Sequence, residues 1–123
     1  MTIKLALKVF SVVALVFLVF LALGPASWQP RSGLGWETDH FVGYFALAVL
    51  FLFTWPRPLL VGSVLVIFAG LVELLQIIPP DRSSNILAAF YSACGVAAAA
   101  LLAELFIRAQ RWFQSSKWAD GSA

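Results

Sequence analysis

Five polar side chains interrupt the apolar stretches of this chain, and their types could hold a proton, bind an anion or hydrogen-bond to a ligand. His40 and Tyr44 are four residues apart, Glu73 and Gln76 are three apart, and Arg82 follows. Spacings of three or four place two side chains on one face of a helix. Because ionisable groups are costly inside a bilayer, such groups within apolar stretches indicate a site rather than a solvated surface.

Glu73 is the side chain whose environment matters most. An unpaired carboxylate among apolar residues is strongly disfavoured and takes up a proton instead. A neighbouring cation would keep it ionised, and Arg82 and His40 are the candidates. We expect Glu73 to interact with at least one of them, with Gln76 and Tyr44 as hydrogen-bonding neighbours. Such a cluster could be a polar clasp that fixes a helical bundle, a ligand site, or both.

The same residues give little support for catalysis or for a metal. Glu73 could act as a general base with His40 as its acid/base partner. However, no Ser or Cys stands in the spacing of a recognisable nucleophile elbow or triad. A zinc site needs three or four protein ligands, more than one histidine and one glutamate provide. The sequence therefore predicts no catalytic residue, metal or cofactor.

The composition is that of a membrane protein. The chain has 123 residues, 62% of them hydrophobic and 11% charged, whereas soluble domains carry about 25% charged residues. Its net charge of +2 is too small to indicate nucleic acid as a partner. The single Cys94 excludes an intramolecular disulfide. The length fits one domain of four spans with short connections.

Proline and glycine divide the chain into four apolar segments. They predict an all-α, antiparallel four-helix membrane bundle with spans at about residues 4–23, 37–54, 59–78 and 84–107, followed by a tail. The first segment also fits a signal peptide cut after Ala26. A retained helix is favoured because the apolar run is long and the cleavage site contains Pro25. Alternating spans would return the five polar residues to one membrane face.

The distribution of basic residues predicts an orientation in the bacterial inner membrane with both termini in the cytoplasm. In this arrangement the outside carries only Arg31 and Arg82, and the inside carries Lys4, Lys8, Arg57, Arg108, Arg111 and Lys117. This asymmetry follows the positive-inside rule. After residue 107, an ordinary stop-transfer flank with a disordered end is favoured over a basic, aromatic segment that lies on the inner leaflet.

Small residues indicate where helices can approach closely. They recur at helical spacing in the fourth span (Ala88, Ser92, Gly95 and Ala99) and occur in the third (Gly62 and Gly70) and the second (Gly43). Close packing and interhelical hydrogen bonds, rather than exclusion of water, hold transmembrane helices together. The sequence leaves open whether the stripe in the fourth span packs within one chain or between two.

Three short motifs in this order resemble the VanZ-like family of small bacterial membrane proteins. They are residues 39–47, 73–76 and 80–83, and the resemblance covers about residues 36–100. It implies a four-span bundle that works at the cell envelope. The family's founding member is linked to low-level resistance to the glycopeptide teicoplanin.

The chain also departs from that family's pattern. The family usually has an Asp and an Asn in the fourth span, where this chain has Ala88 and Ser92, while Gly95 is retained. The missing carboxylate removes one acidic partner for His40 or Arg82. A family activity that required that carboxylate would be absent here.

The resulting hypothesis is an envelope accessory with an outward-facing polar site formed by His40, Tyr44, Glu73, Gln76 and Arg82. It would engage membrane lipids through a lipid head group, or a lipid-linked cell-wall precursor or glycopeptide-type antibiotic, with Arg82 suited to a phosphate. Two alternatives stay open: a membrane-embedded hydrolase or transferase that uses Glu73, and a purely structural or regulatory subunit. A proton-coupled transporter has less support, since no discontinuous helix is predicted.

Overall fold

Four α-helices make up the fold in the computed structural model, which describes residues 2–24, 33–77 and 86–121, with side chains described up to Ser116. They are α1 (Ile3–Leu23), α2 (Trp36–Thr54), α3 (Pro58–Leu75) and α4 (Ile86–Gly121). The described part of the chain is therefore all-helical, as the sequence predicts.

The helix ends follow local chemistry. The hydroxyl of Thr2 caps α1 by accepting a hydrogen bond from the backbone N–H of Leu5 at 3.2 Å. Gly35 precedes α2 with a φ of 107°, a conformation that favours glycine. Pro58 occupies the first turn of α3, where its missing N–H costs nothing. α3 ends at Leu75, three residues before the predicted end of the third span.

Contacts between helix ends establish the antiparallel arrangement. Ser11, in the first half of α1, is hydrogen-bonded to Thr54 at the end of α2. His40, near the start of α2, faces Glu73 near the end of α3. α2 and α3 are joined by only three residues, 55–57. We call the two ends of the bundle the His40 end and the Thr54 end.

The packing centre lies between α2 and α4, which make the most extensive helix–helix contact. A Cβ atom at Gly95 would collide with the backbone oxygen of Phe41, so the two backbones approach as closely as glycine allows. The other members of the small-residue stripe are buried as well: Ala88, Ser92 and Ala99. The stripe thus packs inside one chain.

The remaining helix glycines differ from one another. A Cβ at Gly62 would lie 3.3 Å from the Cβ of Ala100 on α4, so this glycine does serve a close approach. Gly43 and Gly70 would have nothing within 4 Å of an added Cβ. The expectation of close helix contact is wrong at these two positions, because neither glycine lies in a helix–helix interface.

Three of the described helices are long and apolar enough to cross a membrane: α1, α3 and the part of α4 from Ile86 to Ser116. α2 does not meet that standard, because Glu37, Asp39 and His40 make its first half polar. α4 has 36 residues and continues as a helix to Gly121, where the sequence analysis expects a disordered end.

Candidate functional site

His40 is held by the turn of α2 that precedes it. Its Nδ1 lies 2.8 Å from the backbone oxygen of Trp36, and since a carbonyl can only accept, Nδ1 carries a hydrogen. The Trp36 ring meets the imidazole edge-on at a centroid distance of 6.0 Å and meets Tyr91 of α4 in the same way at 5.7 Å. These contacts fix the ring and leave Nε2 as the nitrogen that faces α3.

Glu73 lies opposite that nitrogen. Its Oε1 is 3.6 Å from His40 Nε2, and the two side chains are 8% and 15% exposed, respectively. Because Nδ1 already carries a hydrogen, a bare Nε2 facing an ionised carboxylate would set two lone pairs against each other. The pair therefore holds one more proton, on the imidazole or on the carboxyl group, and is electrically neutral as a unit. The expected contact between Glu73 and His40 is present.

Gln76 has a different partner from the expected one. Its side-chain Nε2 donates a hydrogen bond to the backbone oxygen of Ala22 in α1, at 3.0 Å. The amide is buried and joins the end of α3 to the end of α1. It therefore secures α1 at the His40 end of the bundle.

Tyr44 lies one turn beyond His40 on the same face of α2, as expected. It is 6% exposed, and its ring lies 6.4 Å from that of Phe68 on α3. Arg82, the fifth predicted site residue, lies outside the described residues. The structure thus brings His40, Tyr44, Glu73 and Gln76 to one end of the bundle. That they bind a ligand stays a prediction.

A groove of about 790 Å³ opens from this cluster and runs between α1, α2 and α3. Its polar end is lined by Thr38, Asp39, His40, Tyr44, Glu73 and Gln76. The rest of its wall is mainly apolar and includes Phe10, Ala14, Phe17, Val42, Gly43, Ala46, Leu47 and Leu50. One end can therefore hydrogen-bond, and the long body offers a surface for hydrocarbon.

The groove is deep. Its lining extends from Ala22 to Phe10 along α1 and from Thr38 to Leu50 along α2. At the rise of an α-helix, twelve residues correspond to roughly 18 Å. The five site residues predicted from sequence thus describe only the polar end of a much longer feature. The empty space beside Gly43 is its clearest sequence-level trace.

A second polar contact closes the far end of the groove. Ser11 is fully buried, and its Oγ lies 2.8 Å from Oγ1 of Thr54. Thr54 Oγ1 is also 3.1 Å from the backbone oxygen of Leu50, to which it can donate its one hydrogen. Ser11 then donates to Thr54. α1 is otherwise little buried, so it is attached near both of its ends and lies over the groove between them.

Within the described residues, no three His, Cys, Asp or Glu side chains come close enough together to hold a metal ion. Comparisons with protein-family models, curated proteins and solved structures find no match to this chain. The function therefore has to be argued from the groove and its polar end.

Proposed function

We propose that this chain is a multi-pass protein of the bacterial cytoplasmic membrane, of the VanZ-like type, that binds a lipid or lipid-linked molecule in the groove. The observation that carries the proposal is the groove's lining, which is polar at the His40 end and apolar over the rest of its length. Such an amphipathic lining matches a molecule with a polar head and a hydrocarbon tail.

The helix order supports a membrane crossing by α2 as well. α1 and α3 end at the same level, because Gln76 after α3 reaches Ala22 near the end of α1. α2 leads from that level back to the start of α3. If α1 and α3 cross the bilayer, α2 must cross it too. Its polar first half is shielded, since α2 is packed against the other three helices.

The depth of the groove also fits a lipid. Roughly 18 Å of lining compares with a hydrocarbon core about 30 Å thick, of which one leaflet contributes about half. A groove with this depth reaches from the level of the head groups to the middle of the bilayer. It would hold a lipid of one leaflet in its ordinary orientation, with the head at His40 and Glu73.

The asymmetry of charge supports the outer leaflet. Lys4, Lys8, Arg57, Arg108 and Arg111 all belong to the Thr54 end of the bundle. The positive-inside rule then places the Thr54 end in the cytoplasm and the polar end of the groove toward the outside. An accessory of the cell envelope that engages a lipid or a lipid-linked precursor from the outer leaflet would have this arrangement.

A pair of matched glycine variants tests the proposal. Gly43→Leu adds a side chain to the groove wall, and Gly70→Leu makes the same change on an exposed face of α3 outside the groove. Neither added Cβ meets an atom within 4 Å, so both variants should fold. We expect native mass spectrometry of the purified proteins to show lipid retained by wild type and Gly70→Leu and at least tenfold less on Gly43→Leu.

The opposite result is equally clear. If Gly43→Leu retains the same lipids in the same amounts as Gly70→Leu, the groove is not a lipid site. The polar cluster would then be a clasp that fixes the bundle, and the structural role would be the better explanation.

A further inference from the structure

We infer that the head group recognised at the polar end of the groove is an uncharged one that bears a hydroxyl, as in diacylglycerol or a glycosyl diacylglycerol. This inference rests on the proposed function, because it concerns the ligand of the same groove. It follows from the space between His40 and Glu73 and from the single proton that they hold.

The gap between the two side chains is the first step. Nε2 of His40 and Oε1 of Glu73 are 3.6 Å apart, longer than a direct N–H···O hydrogen bond of about 2.7–3.2 Å. Both atoms belong to residues that line the groove. A carboxylate offers about four acceptor positions, so Glu73 can take a further donor in addition to its existing contacts. A small polar group can therefore bridge the two atoms.

The proton decides which group bridges best. If the proton is on His40, Nε2 donates and Glu73 accepts; if it is on Glu73, the carboxyl group donates and Nε2 accepts. In both states the bridging atom must donate one hydrogen bond and accept another. A hydroxyl does both. An ionised phosphate only accepts and an ammonium only donates, so each leaves one member of the pair unsatisfied or repelled.

Charge points to the same class. The pair is neutral as a unit, and Asp39 adds another carboxylate to the polar end of the lining. An anionic group placed beside the pair would face both Asp39 and Glu73 at short range, in surroundings where charge interacts more strongly than in water. An uncharged hydroxyl meets no such repulsion.

The test compares three lipids with the same two oleoyl chains: dioleoylglycerol, dioleoyl phosphatidate and dioleoyl phosphatidylethanolamine. The full-length protein is placed in nanodiscs that contain them in equal amounts, and the retained lipids are identified by native mass spectrometry. We expect dioleoylglycerol to be enriched at least about tenfold over phosphatidate, the ratio that one hydrogen bond to a charged group provides. Glu73→Gln removes the shared proton and should abolish this preference without abolishing retention.

Equal retention of the three lipids by wild type, or a preference for phosphatidate or phosphatidylethanolamine, would overturn the inference. This ranking needs no variant, so misfolding of Glu73→Gln cannot hide it. The lipid groove itself would still stand if Gly43→Leu lowers the retention of all three lipids. If Gly43→Leu lowers none of them, the proposed function fails together with the inference.

Discussion

At the residue scale, the contact between His40 and Glu73 makes each side chain depend on the other. Both are mostly buried, and their charges or shared proton are balanced only as a pair. Removing one partner from such a pair leaves the other with an uncompensated polar group, whereas replacing both with apolar groups of similar size can be nearly neutral. The pair is therefore expected to show strong coupling.

A double-mutant cycle measures that coupling. We expect His40→Leu and Glu73→Leu each to destabilise the protein, by about 1–3 kcal/mol. The double variant should be less destabilised than the sum of the two, with a coupling energy of about 1–3 kcal/mol. Thermal unfolding of the detergent-solubilised proteins, followed by loss of monodisperse protein, gives the comparison. Strictly additive effects would mean that the two side chains do not act as a unit.

The sequence could predict this pair but not every polar contact. His40 and Glu73 are ionisable residues in apolar segments, and antiparallel spans bring them to one level. The partner of Gln76 is a backbone oxygen of α1, and a backbone acceptor carries no residue-type signal. The bond between Ser11 and Thr54 joins two common residues 43 positions apart, and only the packing of α1 on α2 selects them.

At the element scale, the approach of α2 and α4 sets the position of the whole site. Gly95 allows the backbone of α4 to lie against the backbone of α2 at Phe41, the residue directly after His40. The ring contact between Trp36 and Tyr91 ties the same two helices together on the other side of His40. The imidazole is thus held between two contacts with α4.

Gly95→Ala should disturb this approach. The added Cβ would meet the backbone oxygen of Phe41, which cannot rotate away as a flexible side chain could. We expect a destabilisation of about 1–3 kcal/mol, typical of overpacking. Gly70→Ala is the matched control, since it adds a methyl in open space and should be neutral or stabilising by about 0.5–1 kcal/mol. Equal thermal stability of the two variants would contradict the tight α2–α4 contact.

The sequence located the close-packing stripe on α4 but not its partners. Ala88, Ser92, Gly95 and Ala99 share one helical face, which is a strong signal of a helix interface. A single glycine has no periodicity, so the sequence could not distinguish Gly62, which packs on α4, from Gly43 and Gly70, which do not. The groove next to Gly43 depends on the position of α1, which no local pattern determines.

At the scale of the whole molecule, the alternation of helices joins the location of the site to the orientation in the membrane. The His40 end holds the polar opening of the groove, and the Thr54 end holds Arg57 and the basic residues of α4. If the basic end is cytoplasmic, the groove opens to the outer leaflet. The orientation thus decides which lipids can reach the site.

Cysteine labelling in intact cells tests that orientation. In a Cys94→Ala background, which removes the chain's one thiol, Leu34→Cys places a thiol at a position that is 74% exposed, just before α2. Arg111→Cys places one at an exposed position of α4 near the Thr54 end. We expect a membrane-impermeant maleimide to label Leu34→Cys in intact cells and Arg111→Cys only after the membrane is opened, with Cys94→Ala alone unlabelled. The reverse pattern would place the polar end of the groove at the cytoplasmic leaflet, and ligands of the outer leaflet would then be excluded.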